Sequence, residues 1–365
     1  MTQTLPATQL VKGAKLKERQ RLTAEIIPDR RNALFDNAKY LALVLVALGH
    51  AWEPLRSTHR SIEALYDAIY SFHMPVFIIV SGYFSQGFDG SLAKTRRLLT
   101  GVAVPYIVFE VAYTLFKRWA GNDPSYPISL LDPWYLTWFL IAIFIWRLSV
   151  PIWKSVRWPL STALGIAALA SACPSIGADL DLQRVLQFLP FFVLGLRLDV
   201  SHIHRLRSWH VRVGAAFILA GAIAVAYWEA PRFSSVWLYH RDSLQDLGYA
   251  PWSSPAVTLA TFCCSTILAA CFFALIPEHR VWFTPLGTGT LYGYLLHGFL
   301  IQGSRFWGWY DLPFIRQPLG VYVVTLIAAV AVTVLCSSPI RRAFRFVVDP
   351  QMAWVFKRDP IGLHS

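Results

Sequence analysis

A lysine and a histidine bracket an apolar run in DNAKYLALVLVALGH, Asp36 to His50. Of the residues between Lys39 and His50 only Tyr40 carries a polar tip. On an α-helix, positions eleven apart return to within about 20° of each other and rise about 16 Å. Lys39 and His50 therefore share one face, and Asp36 and Glu53, each three residues beyond, fall within about 60° of the same line. The residue types suit chemistry. An imidazole titrates near neutrality and serves as a general base on a hydroxyl. A carboxylate one turn away orients such a ring and stabilises its protonated form. A cation at the far end suits a phosphate.

Three more titratable groups lie inside apolar runs. His73 occurs in YDAIYSFHMPVFIIVSGYF, two residues before Pro75, whose ring removes one backbone N–H and clashes with the carbonyl of Ser71. The chain there either kinks or begins a new helix, and both arrangements expose backbone polar groups that need a lined cavity or a neighbouring helix. Glu110 stands in PYIVFEVAY and His297 in GTGTLYGYLLHGFL. In a membrane such groups cost at least a few kcal/mol unless they face a protein interior or a wet cavity. Threading the runs across a bilayer in alternation brings His50, His73, Glu110 and His297 to a similar, outward depth, which points to a shared site. Lys39, Arg96, Arg97, Arg341 and Arg342 gather at the inner level. There they suit a phosphorylated ligand, and equally the ordinary basic edge of a membrane protein.

The elements that must position these groups are membrane helices. The 365-residue chain is 55% hydrophobic and only 15% charged, with a mean hydropathy of +0.45, whereas a soluble chain is about a quarter charged. Ten stretches have the length and composition of spans: 39–55, 66–86, 98–117, 133–150, 158–173, 184–198, 211–228, 254–276, 285–304 and 317–339. With both termini cytoplasmic, roughly two-thirds of the 33 Lys and Arg fall on the inner side, as the positive-inside bias requires. The expected fold is an all-α, multi-pass membrane helix bundle. Residues 1–30 form a basic cytoplasmic tail, disordered in its first part, 31–340 the membrane domain and 341–365 a cytoplasmic tail. The net charge of +12 then reflects short loops facing anionic lipid, and nucleic-acid binding is set aside. The five cysteines lack metal-ligand spacing, and no metal site is expected.

DNAKYLALVLVALGH followed by FHMPVFIIVSGYF resembles the opening of the acyltransferase-3 family of integral membrane acyltransferases, and more narrowly its fucose 4-O-acetylase-like branch. RRLLTGVAVPY, PWYLTWFLIAIFIW, LQFLPFFVLGLRL and LGTGTLYGYLLH are similar to later blocks of that family in the same order. The resemblance implies a cytoplasmic acyl-CoA donor, most often acetyl-CoA, and transfer to a hydroxyl of an envelope sugar, polysaccharide or glycolipid at the cell membrane. It implies His50 as the essential histidine of the first motif, Lys39 as its basic partner, His73 as the histidine of the second block and Arg96 or Arg97 as the basic residue before the third span. Many members have Arg where this chain has Lys39, so bidentate gripping of phosphate is lost there.

The expected mechanism puts CoA phosphates on Lys39 with Arg96 and Arg97, and the thioester near His50. His50 acts as base, Glu53 or Glu110 orients it, and His73 donates to the oxyanion or exchanges roles with His50. His297 and Trp138 contact the acceptor. A histidine-bound acyl intermediate stays open. So does a separate extracytoplasmic partner for a second transfer step. The outer segment 229–253, rich in aromatic and polar residues, suits sugar recognition, or is a plain connecting loop. Two competing readings remain, a transporter or flippase of a sugar-containing envelope substrate and an inactive scaffold of an envelope complex.

Overall fold

The computed structural model describes residues 33–177, 179–350, 352 and 354–356, and the expected tail 1–30 lies outside them. The described residues are helical throughout, with no strand among them. Helix α1 (Ala33–Thr58) closes in a tighter 3-10 turn over Glu53–Thr58, where Pro54 occupies a first-turn position that needs no N–H. The second span is two helices, α2 (Arg60–Tyr70) and α3 (His73–Ser85). Of the two outcomes open at Pro75, the chain takes the new start. It breaks at Ser71–Phe72, and Pro75 falls in the first turn of α3, where a missing donor costs least. His73 is thereby placed at a helix start inside the bundle.

Helices α4 (Leu92–Leu98) and α5 (Val104–Ala120) run on through a π-helical turn at Leu99–Ala103, which absorbs Pro105. Then follow α6 (Trp138–Leu148), α7 (Val150–Ser155), α8 (Pro159–Ala172), α9 (Leu182–Arg197), α10 (Val200–Arg205), α11 (Trp209–Glu229), α12 (Ser254–Leu275), α13 (Thr290–Phe306), α14 (Pro318–Leu335) and α15 (Ser338–Val348). Each of the ten expected stretches contains helix, although residues 133–137 approach α6 as loop and turn. Six helical segments are long and apolar enough to cross a membrane, and α6 and α8 are shorter apolar helices. Residues 341–348, expected as tail, continue as helix α15.

The core is built around α1, α3, α9 and α13. Helix α3 packs along α9, which in turn packs on α8. The α3–α9 contact is backbone to backbone. A Cβ added at Gly82 would stand 2.2 Å from the Phe192 carbonyl oxygen, and one at Gly195 2.1 Å from that of Ile79. Small residues at a membrane helix crossing permit this approach and maximise dispersion contact. Helix α11 shows the opposite surface, with Phe217 74% and Val225 64% exposed. An apolar face of that size needs a nonaqueous neighbour. Its exposed Trp209 and Trp228 lie nineteen residues apart, a rise of about 28 Å, close to the roughly 30 Å hydrocarbon core of a bilayer. Tryptophan at both edges is the pattern of interfacial anchoring. The molecule is a membrane helix bundle.

Candidate active site

Six helices (α1, α2, α3, α6, α9 and α13) and three connections, around Asp132, Asp181 and Tyr239, converge on a chamber of about 340 Å³. Its inner walls carry His50, His73, Met74 and Tyr294, and its outer walls Glu53, Asp132, Asp181, Tyr239, Arg241 and Arg305. These last residues sit at the ends of helices or in connections that the chain direction puts on one side of the bundle, so the chamber opens between those connections, on the side the sequence reading expects to face outward. The shared face read from the first helix accounts for two of its members, since His50 and Glu53 both line it.

The histidines are held differently. His73 places Nδ1 2.9 Å from the Ile69 carbonyl oxygen, and His297 places Nδ1 3.0 Å from that of Gly293 and 2.8 Å from that of Tyr294. A carbonyl oxygen only accepts, so in both rings Nδ1 carries the proton and the neutral ring keeps its lone pair on Nε2. Nε2 of His297 is buried with no hydrogen-bond partner among the described residues. His50 has no carbonyl on Nδ1. That atom lies 3.4 Å from the Tyr70 hydroxyl and 3.9 Å from Oε2 of Glu53. The same Glu53 oxygen accepts from Nη2 of Arg305 at 2.8 Å. Arg305 thus fixes the carboxylate that faces the His50 ring. The His50 ring centroid is 5.8 Å from that of His297 and 4.9 Å from that of Tyr135, while Tyr70 sits edge-on between His50 and His73, at 6.3 and 4.6 Å.

Glu110 reaches the site through a loop. It is buried outside the chamber wall, and its Oε2 accepts from the Trp134 backbone N–H at 2.9 Å and from the Thr137 hydroxyl. Between these two residues lies Tyr135, whose φ of 60° is the left-handed region that a non-glycine residue adopts only when its surroundings hold it there. The Tyr135 hydroxyl is buried, lines no hydrogen bond among the described residues, and its ring faces His50. Glu110 therefore holds the loop that presents Tyr135.

At the mouth, the outer segment 229–253 forms part of the wall. Ser235 donates to Oδ1 of Asp67 at 2.6 Å and accepts from Arg56 at 2.7 Å, and the Tyr66 and Tyr239 hydroxyls meet at 2.8 Å. Trp138 lines the chamber beneath the Arg184 guanidinium, 4.6 Å from the ring centroid, and Arg184 pairs with Asp181 at 3.0 Å. Burial with Arg184 nearby pushes the His240 imidazole down to about 4.

The basic residues expected at the inner end are spread out. Lys39 pairs with Asp36 at 2.7 Å and stands over the Phe84 ring, Arg96 lies over the Phe356 ring, and Arg97 is exposed on α4. None of the three lines the chamber. The sequence reading also missed Arg305, Tyr70 and Tyr135. Arg305 had a faint signal, since it follows His297 by eight residues and lies about 80° round the same helix. Tyr70 had a local signal too, three residues before His73, whereas Tyr135 had none, because His50 comes from a distant segment.

Histidines are buried around one chamber in a membrane helix bundle, and sequence comparison gives the class of protein that carries it. The chain belongs to the acyltransferase-3 family, whose model, described as an acyltransferase domain, matches residues 32–338. It is similar to Nodulation protein NolL of Sinorhizobium fredii (strain NBRC 101917 / NGR234), 37% identical over 183 residues, 46% of this chain and 48% of that protein. It is also similar to Nodulation protein NolL of Mesorhizobium japonicum (strain LMG 29417 / CECT 9101 / MAFF 303099), 25% identical over the same length and shares. The matched region spans about half the length of these relatives. No solved structure matches.

Proposed function

We propose that the protein is a multi-pass O-acyltransferase of the cell membrane. It moves an acyl group, acetyl in the simplest case, from cytoplasmic acyl-CoA to a hydroxyl of a cell-envelope sugar, polysaccharide or glycolipid. The observation that carries this reading is the convergence of His50, His73 and the Arg305-fixed Glu53 on one chamber open to the outer side. In the proposed step the acceptor hydroxyl gives its proton to His50 as its oxygen attacks the thioester carbonyl. The carbon–sulfur bond breaks, and the thiolate of CoA takes the proton back from the imidazolium. Glu53 stabilises that imidazolium.

The geometry changes the part given to His73. With Nδ1–H bonded to Ile69, the neutral ring accepts at Nε2 and does not donate there. His73 therefore orients the acceptor hydroxyl or shares the role of base, and the Tyr135 hydroxyl is the donor better suited to the oxyanion. Trp138 offers an aromatic face and His297 an unpaired Nε2 beside His50. Lys39, Arg96 and Arg97 contribute positive charge at the level where the donor enters.

The test is acyl transfer from radiolabelled acetyl-CoA by membranes carrying the wild-type protein or His50→Ala at equal abundance, with mass analysis of envelope glycans from a deletion strain. Loss of one acyl mass from a glycan identifies group and acceptor together. Substantial transfer by His50→Ala would remove the base assignment, and transport of a glycan without any acyl transfer would favour a flippase.

A further inference from the structure

The inner face carries a second cavity, of about 490 Å³, between α15, the start of α13 and the π turn before α5. Its character follows from the sequence of α15. Ser338, Arg341, Arg342, Arg345 and Val348 fall within an arc of about 120° on that helix, and all five line the cavity. Ile340, Phe344 and Val347 occupy a different arc, and Val347 packs on the main core. The helix thus turns its three arginines together toward one hollow. Among the described residues Asp349 is the one acid on the wall, so the positive charge they present is not balanced. Like charges this close repel, and they stay together at little cost only when an anion joins them.

Arg341 is the most fixed of the three. It bonds to the Thr288 and Ser338 hydroxyls, and its Nε is buried with no partner among the described residues. Tyr292 and Leu291 supply an apolar wall beside the arginines. The cavity also has a fixed relation to the histidines. Tyr292 begins the path along α13, and His297 follows five residues later, about 8 Å along the axis, where it meets His50. That is shorter than the rise of about 16 Å from Lys39 to His50.

We propose that this cavity is the phosphate anchor of the donor, with Arg341, Arg342 and Arg345 binding the phosphate groups of acyl-CoA and Tyr292 flanking the nucleoside. The proposal rests on the reading of the donor as acyl-CoA. It moves the anchor from Lys39 and α4 to the amphipathic helix after the last span. An anionic lipid headgroup offers the same phosphate chemistry, and the experiment must separate the two.

The probes are coenzyme A and 3′-dephospho-CoA, titrated onto the full chain purified in detergent and in nanodiscs of phosphatidylcholine with or without phosphatidylglycerol. The variants are R341Q/R342Q/R345Q and the single exposed change R345Q, with thermal melting to confirm folding. The triple variant should bind coenzyme A at least about tenfold more weakly, the loss expected from one or more charge-assisted bonds. R345Q should fall between it and wild type, and dephospho-CoA should lose less than coenzyme A. Folded variants that bind coenzyme A like wild type would overturn the anchor while leaving the acyl-CoA donor intact. Retained coenzyme A binding together with loss of copurifying phosphatidylglycerol would mean a lipid site and would also overturn it. A wild-type protein that binds no coenzyme A would overturn both the anchor and the donor reading.

Discussion

The two cavities face opposite sides and handle charge in opposite ways. In the outer chamber nearly every charge has a partner: Glu53 is held by Arg305, and Asp181 by Arg184. In the inner cavity three arginines meet one aspartate. Paired charges fix one another's position and present little net field, which suits a neutral hydroxyl and a proton transfer that must occur at a set geometry. Unbalanced cations suit a ligand that brings its own negative charge. Under the proposed function the difference divides the labour of a transfer, with chemistry at one end of α13 and electrostatic capture at the other.

The division is broken most severely at His50. His50→Ala should lower the rate of acyl transfer by roughly 10²–10⁴-fold, the range for loss of a general base, with coenzyme A binding unchanged. A matching fall in donor affinity would instead tie His50 to capture. Next comes Arg305→Gln, which frees Glu53 from its fixed place. Its rate should drop by roughly 10–100-fold, as for loss of one charge-assisted bond, and Arg305→Lys should recover part of it. Equal rates for the two variants would show that the ion pair does not position the base.

Glu110→Gln keeps the shape but weakens the acceptor that holds the Trp134 and Thr137 donors. A fall of about tenfold in rate is expected, seen in kcat before donor KM, because the loop carrying Tyr135 loosens. A change in donor KM alone would contradict this.

A smaller effect concerns pH at the outer mouth. His240 is pushed down to about 4 in the folded protein from an ordinary 6.5, so folding favours its neutral form. Its contribution to stability is fully present above about 6.5 and is lost as pH falls toward 4. The melting temperature of the wild type should therefore drop more steeply over that window than that of His240→Asn. The smallest change is Lys39→Arg. Because Asp36 already holds the Lys39 ammonium, donor KM should shift by no more than about threefold. A large gain in donor affinity would return the phosphate anchor to the first helix.

Much of the frame was legible from the chain. Apolar stretches long enough to span became helix, because a bilayer demands internal satisfaction of backbone polar groups and the helix supplies it locally. The lysine–histidine spacing and the companion position of Glu53 follow from 100° per residue, and the structure keeps His50 and Glu53 on one wall. Pro75 announced a break but not which kind. Glu110 looked like a partner of the imidazole because it lay at the right depth, yet depth says nothing of rotation, and its carboxylate turned to a loop instead.

By itself the sequence determined the helical membrane frame and the shared face of His50 and Glu53, since each depends on composition and on periodicities internal to one helix. Only the tertiary structure decided that Arg305 would meet Glu53 from the far end of α13, and that Tyr135 would be held against His50. It also decided that Arg341 of α15 would reach the Thr288 hydroxyl before α13. Those pairings depend on how far each helix is rotated and how closely it is packed, and both are set by neighbours distant in sequence, from 53 residues for Arg341–Thr288 upward.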